Sequence, residues 1–153
     1  MKRPVALRWI AGGATAVASA ALMLVLPLPP ASAADNLSLS GGADGSSKAS
    51  GTSYGNVKDG NQSTYWSPNS TTGSISIKWG SATTVSRINI RTASGGGTVS
   101  AYRVLNGDTG AVLKTGSGTG VITFSATSLK KITFEITSAS AAPRIAEFET
   151  YAS

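Results

Sequence analysis

The densest group of oxygen-bearing side chains lies in the run Asn56-Val57-Lys58-Asp59-Gly60-Asn61-Gln62-Ser63-Thr64-Tyr65-Trp66, where Asp59-Gly60 has the chemistry of a tight turn. Asp59, Asn61 and Thr64 bring hard oxygen ligands onto that turn, and hard ligands suit calcium. Calcium takes about six to eight oxygens at about 2.3 to 2.6 Å, so side chains from one loop cannot complete the shell. Main-chain carbonyls and a distant carboxylate must contribute, and Glu147 is the remote donor on offer. The same spacing also describes a plain Asx turn with solvated side chains, and spacing alone leaves both readings open.

Other chemistry is removed by composition. The chain has no His and no Cys, which excludes imidazole bases and ligands, thiol nucleophiles, zinc-thiolate sites and disulfides. Glycosidase chemistry would need two carboxylates about 5 to 9.5 Å apart. Asp59 and Glu147 are the candidate metal carboxylates, and Asp35, Asp44, Asp108, Glu135 and Glu149 show no paired motif, so no enzyme activity is expected. Hydrogen-bonded recognition of a polar ligand needs planar donors matched to its polar groups, usually beside an aromatic face. Arg91, ending a strand and opening onto Thr92 to Gly97, is the leading donor; Arg144, after Ala141-Ala142-Pro143, is the second. Tyr54 is the aromatic that a loop would present, whereas Trp79 alternates in phase with Ile75 and Ile77 and is expected inside.

The elements that must position these groups read as all-β. In Lys131 to Thr137, Ile132, Phe134 and Ile136 share one face and the polar residues share the other. Ser74 to Trp79 repeats the pattern, and Val85 to Arg91, Val99 to Leu105, Ala111 to Lys114, Val121 to Ser125 and Ile145 to Tyr151 are further strands bounded by Gly, Asn, Asp or Pro. About seven short strands with Asn-Gly-Asp and Thr-Gly turns describe an antiparallel sandwich. Asp35 to Ser53, rich in Gly and Ser, is expected to be an edge strand anchored by Leu37 and Leu39, then a loop.

Ahead of this domain, Lys2, Arg3 and Arg8 precede an apolar stretch from Trp9 to Leu28 that runs through Pro27, Pro29 and Pro30 into Ala31-Ser32-Ala33. This is the three-part form of a secretory signal peptide over residues 1–33, with a mature domain over 34–153 and a secreted, extracellular location. The prolines argue against a signal anchor, so no stable membrane insertion is expected after processing. Removing the leader leaves 10 basic against 7 acidic residues. The basic ones are scattered, which gives no warrant for a nucleic-acid partner.

The run from Asn56 to Trp66 resembles the hallmark of discoidin-like domains, also called coagulation factor 5/8 C-type or galactose-binding-like domains, which include family 32 carbohydrate-binding modules and the fucolectins. Ile145-Ala146-Glu147-Phe148-Glu149 resembles that family's closing strand, and Ile75 to Gly80 its hydrophobic-polar strand ending in Gly. The resemblance implies a jelly-roll β-sandwich with one structural calcium. Asp59 and Glu147 would supply carboxylates, Asn61 and Thr64 side-chain or main-chain oxygens, and Asn56 and Ala146 main-chain carbonyls. It also implies a glycan partner, galactose-like or related, and puts Arg91 where fucolectins and family 32 modules carry a sugar-binding Arg.

The chain departs from that pattern in two places. Where those sugar binders often present a His after the Tyr-Trp pair, this chain has Ser67, Pro68 and Asn69, with Asn69 as the candidate ligand group. Gly95-Gly96-Gly97 replaces the second Arg of the fucolectins. Long apolar spikes are missing, so phosphatidylserine binding is not expected. A secreted carbohydrate-binding module is therefore the first expectation, and an adhesive or structural protein of the cell envelope, binding a protein or wall polymer, is the alternative.

Overall fold

The computed structural model describes residues 34–153, and the leader expected over 1–33 lies outside them. Six strands follow one another: β1 (Gly42–Gly45), β2 (Gly73–Thr92), β3 (Val99–Asn106), β4 (Val112–Gly116), β5 (Gly120–Ala139) and β6 (Ile145–Tyr151). Short 3-10 helices, Leu37–Ser40 and Tyr54–Lys58, precede and follow β1. Among the described residues all strand pairings are antiparallel.

Four of the expected short strands are halves of two long ones. Ser74 to Trp79 and Val85 to Arg91 both lie in β2, and Val121 to Ser125 and Lys131 to Thr137 both lie in β5, each 20 residues long. Gly80-Ser81-Ala82 interrupts the apolar alternation, which reads as a break in the sequence. In the fold the interruption is a shift of register between Lys78 and Thr83, so the strand continues with different partners. Before the shift β2 lies between β1 and the second half of β5; after it, β2 lies between the first half of β5 and β6. The second half of β5 also pairs with β3, which carries β4 at its edge. Two long strands thus serve both layers of an antiparallel β-sandwich.

The layers meet through side chains that alternate inward. Ile75, Ile77, Ile132, Phe134 and Ile136 from one set of strands and Ile88, Ile90 and Phe148 from the other are all buried. The rings of Phe134 and Phe148 meet edge to face at 6.4 Å, and Tyr102 stacks at a tilt on Phe134 at 5.2 Å. Trp66 is fully buried and its indole N–H donates to the Ser47 carbonyl at 2.9 Å. Trp79 packs half-buried against the core and donates to the Leu37 carbonyl at 2.9 Å.

The expected edge strand exists, but it is Gly42–Gly45, and the two leucines before it do not behave alike. They fall in a 3-10 helix instead of an alternating strand, so Ser38 turns inward, its hydroxyl 2.9 Å from that of Thr150. Leu37 packs against the core, whereas Leu39 is 60% exposed.

Truncation at the contact between layers should be costly. Phe134→Ala is expected to lose about 3 to 5 kcal/mol of unfolding free energy, read as a lowered urea midpoint, while Leu39→Ser should leave the midpoint nearly unchanged.

Candidate functional site

The loop that carries the oxygen-rich run is fastened to the last strand by the main chain. Trp66 donates to the Ile145 carbonyl and Ile145 donates to the Trp66 carbonyl, each at 2.8 Å. Val57 is buried beneath the turn, and the Asn56 side-chain amide donates to the Tyr65 carbonyl at 2.9 Å. Gly60 adopts a φ of 74°, the left-handed conformation that a turn here requires and that glycine accepts without strain.

Within the turn, Asp59 accepts the Asn61 amide on Oδ1 at 2.9 Å and the Thr64 hydroxyl on Oδ2 at 2.5 Å. Asn61 in turn accepts the Ser63 amide on its side-chain oxygen at 2.8 Å. The Asx turn is therefore real, yet it does not exhaust the site. Glu147, from β6, reaches the same turn, faces the Asp59 carboxylate and lies near the Gly60 amide, which favours its charged form. It is only 4% exposed, and its Oε2 is buried with no hydrogen-bond partner.

That arrangement is electrostatically incomplete. Burial, and after it the contact with Asp59, push the Glu147 carboxyl up to about 7. For Asp59 burial also acts upward, but the hydrogen bonds from Thr64 and Asn61 outweigh it and hold this carboxyl below its usual range. A buried acceptor without a partner costs about 1 to 3 kcal/mol, and a cation between the two carboxylates would satisfy both. The donors are all oxygen. Two carboxylates with neighbouring hydroxyl and main-chain oxygens fit a hard divalent ion of the calcium type. Asn56 lies in the 3-10 helix entering the turn and Ala146 is buried beside Glu147, so all six residues expected at the metal belong to this loop and the strand it is fastened to.

The four expected ligand residues are not brought together. Arg91 sits in an ion pair, its Nε donating to Glu149 Oε2 at 2.6 Å and its Nη2 lying 3.4 Å from Oε1. Glu149 also accepts the Tyr151 hydroxyl at 2.7 Å and the Asn89 amide at 3.2 Å. Arg91 is thus bound into a cross-strand network between β2 and β6. Tyr54 is half-buried at the start of its 3-10 helix, packed against the core, with the Lys48 ammonium over its ring at 5.2 Å. Asn69 is exposed, and its N–H donates to the Ser47 hydroxyl at 3.3 Å.

Arg144 has a different setting. It lines a cleft of about 340 Å³ together with Ala49, Ser50, Thr52, Tyr65, Ser67, Gly95, Ala141 and Ala142. Its guanidinium lies over the Tyr65 ring at 4.8 Å and its Nη1 donates to the Ser94 carbonyl at 3.0 Å. The three glycines make this possible. A Cβ on Gly95 would lie 2.6 Å from Arg144 Nη1, one on Gly96 2.5 Å from the Arg144 backbone nitrogen, and one on Gly97 2.2 Å from the Ala141 carbonyl oxygen. With no side chains at 95–97, the 93–98 segment lies close against 140–144, held by Ala93 N–H to the Arg144 carbonyl at 2.9 Å and Gly97 N–H to the Ala142 carbonyl at 3.0 Å. Tyr65 and the glycine run are cleft-forming groups that the sequence reading did not assign to a site. The run itself was the available signal, because three glycines in a row mark a close approach of main chains.

No protein-family profile matches the chain, and no curated protein matches it. Solved structures do. A mutant form of chitosan-binding module 1 from a chitosanase/glucanase of Paenibacillus sp. IK-5 is 25% identical, with a TM-score of 0.68 over 78% of this chain and 99% of that one. The family 32 carbohydrate-binding module of Clostridium perfringens NanJ, in complex with galactose, is 20% identical, with a TM-score of 0.64 over 74% of this chain and 95% of that one. SpGH29 is 18% identical with a TM-score of 0.68 over 76% of this chain, which spans only 28% of its length. The chain has the discoidin-like, galactose-binding-like β-sandwich fold of these carbohydrate-binding modules.

The tight packing of the glycine run gives a direct test. Gly96→Ala should destabilise the protein by about 1 to 3 kcal/mol, because the neighbouring main chain cannot yield. Gly80→Ala, whose Cβ would meet nothing within 4 Å, should leave the thermal melt nearly unchanged.

Proposed function

We propose that this protein is an exported, non-catalytic carbohydrate-binding module. A calcium ion ties its first long loop to its last strand, and its cleft beside Tyr65 and Arg144 receives a galactose-like or related glycan. The open cleft with a guanidinium already fixed along it carries the reading. The likeness of the whole domain to carbohydrate-binding modules supports it. Arg91 was the stronger candidate in the sequence, but its commitment to Glu149 moves the recognition role to Arg144.

The placement of the acids supports a non-catalytic role. Asp59 and Glu147 face each other closely enough to push the Glu147 carboxyl up, which suits a shared cation better than the spacing that a sugar and a water need. Glu135 pairs with Arg103, Glu149 with Arg91 and Asp44 with Lys78. Export rests on the leader, removed after Ala33 by the general secretory route.

In the metal reading, Asp59 and Glu147 supply the charge and Asn61, Thr64, Asn56 and Ala146 supply neutral oxygens. The ion provides neutralisation of two facing carboxylates and a cross-link between distant parts of the chain. An ion bound only by the folded state, at 100 times its dissociation constant, stabilises by about 2.7 kcal/mol, on the order of 10 °C in a domain of this size. EDTA should therefore lower the melting temperature by about that amount, and Asp59→Ala should abolish the response. Glu147→Gln should abolish it too, yet melt in EDTA at least as high as the unaltered protein in EDTA, since the amide removes the repulsion. Identical melts with and without calcium would end the metal reading.

Binding is checked on a glycan array and by titration with the best glycan. Arg144→Ala should weaken binding by about tenfold, the worth of one charge-assisted hydrogen bond. Arg91→Ala should instead lower the melting temperature and leave affinity within about twofold, because it strands the nearly buried Glu149.

A further inference from the structure

We infer that the cleft selects glycans bearing a carboxylate, of the uronic-acid type, and rejects cationic chitosan-like chains. This rests on the cleft being the glycan site, and it fixes the charge of the ligand.

The first ground is that Arg144 has no carboxylate partner. All seven acidic residues of the chain lie among the described residues, and their surroundings are known. Asp44 lies between Lys78 and Lys131, at 2.9 and 3.4 Å. Glu135 takes Arg103 and Glu149 takes Arg91, each at 2.6 Å. Asp59 faces Glu147, and Asp108 accepts the Lys130 amide at 2.7 Å. Asp35, near the start of the described residues, pairs with no cation. Arg91 and Arg103 are each neutralised by a neighbouring acid, whereas the arginine that lines the cleft is not.

The second ground is geometry. One edge of the Arg144 guanidinium is fixed by the Ser94 carbonyl and one face by Tyr65, with Gly95 close against the guanidinium and Gly96 against the shaft. Its remaining N–H groups have no hydrogen-bond partner among the described residues. A guanidinium presents paired donors in the spacing of a carboxylate, and one already held in place loses little freedom on binding. The third ground is the lining. Arg144 is its only charged residue, and the polar remainder consists of hydroxyl groups such as those of Ser50, Thr52 and Ser67. A concave surface with one unpaired positive charge attracts anions and repels ammonium groups. Because the guanidinium covers one face of Tyr65, ring stacking is not free to dominate over charge.

The experiment titrates the purified protein with four polymers: polygalacturonate, its fully methyl-esterified form, neutral galactan and chitosan. Esterification keeps the chain and removes the charge. Polygalacturonate should bind about tenfold or more tightly than the ester, and chitosan should not bind. Arg144→Gln should erase that margin, Arg144→Lys should recover part of it, and Lys114→Gln, a charge removed from exposed β4 away from the cleft, should preserve it. Equal affinity for the acid and the ester, binding of chitosan, or an equal loss in Lys114→Gln would overturn the selectivity. Binding to galactan without preference for the acid would do so while leaving the carbohydrate-binding reading standing. Binding to none of the four would overturn both.

Discussion

The site end of this molecule depends on one buried carboxylate. Glu147 is carried into the protein by β6, yet one of its oxygens meets no donor. Such a group is tolerated only if the surroundings compensate, and here they do so incompletely: the facing Asp59 carboxylate, itself held by the Asn61 amide and the Thr64 hydroxyl, adds to the cost of burial. The main-chain pairing of Trp66 with Ile145 makes the encounter possible by closing a long circuit of chain, which carries a loop-closure cost. Buried Trp66 and the Phe134–Phe148 contact offset that cost by removing large apolar surface from water.

The same tie explains where the cleft is. Tyr65 directly precedes Trp66 and Arg144 directly precedes Ile145, so the two residues that flank the main-chain pairing are brought face to face. The Asp59 turn and the cleft are therefore neighbours by construction, sharing one pair of fastened segments. A change that loosened the turn would be felt at Arg144 through the backbone.

Much of this was legible in the sequence, for identifiable reasons. Period-two alternation in Ile132-Thr133-Phe134-Glu135-Ile136 marks a half-buried strand whatever its neighbours, and Asp59-Gly60 marks a turn by its own conformational needs. Long-range organisation was less visible. Nothing local in Gly80-Ser81-Ala82 distinguishes a chain reversal from a register shift, because both suspend alternation; only the continuous partner strand β5 decides between them. Leu39 failed as an anchor for a related reason, since a 3-10 helix rotates its side chain by a different angle than a strand would.

The two arginines show where sequence reading stops and why. Arg91 and Arg144 are the same residue type, each at a junction of strand and loop, and the strand-end position with the family resemblance favoured the first. Their difference lies in the neighbour that the fold supplies. Register sets Arg91 opposite Glu147 and beside Glu149, and an acid within 2.6 Å turns a recognition group into part of the scaffold. Arg144 is set against glycines and an aromatic ring, which position a cation without neutralising it. A guanidinium held in that way is stable in the fold and still lacks a counter-charge. In the proposed reading, a ligand would supply that counter-charge from outside the protein, which is what would make the cleft a recognition site.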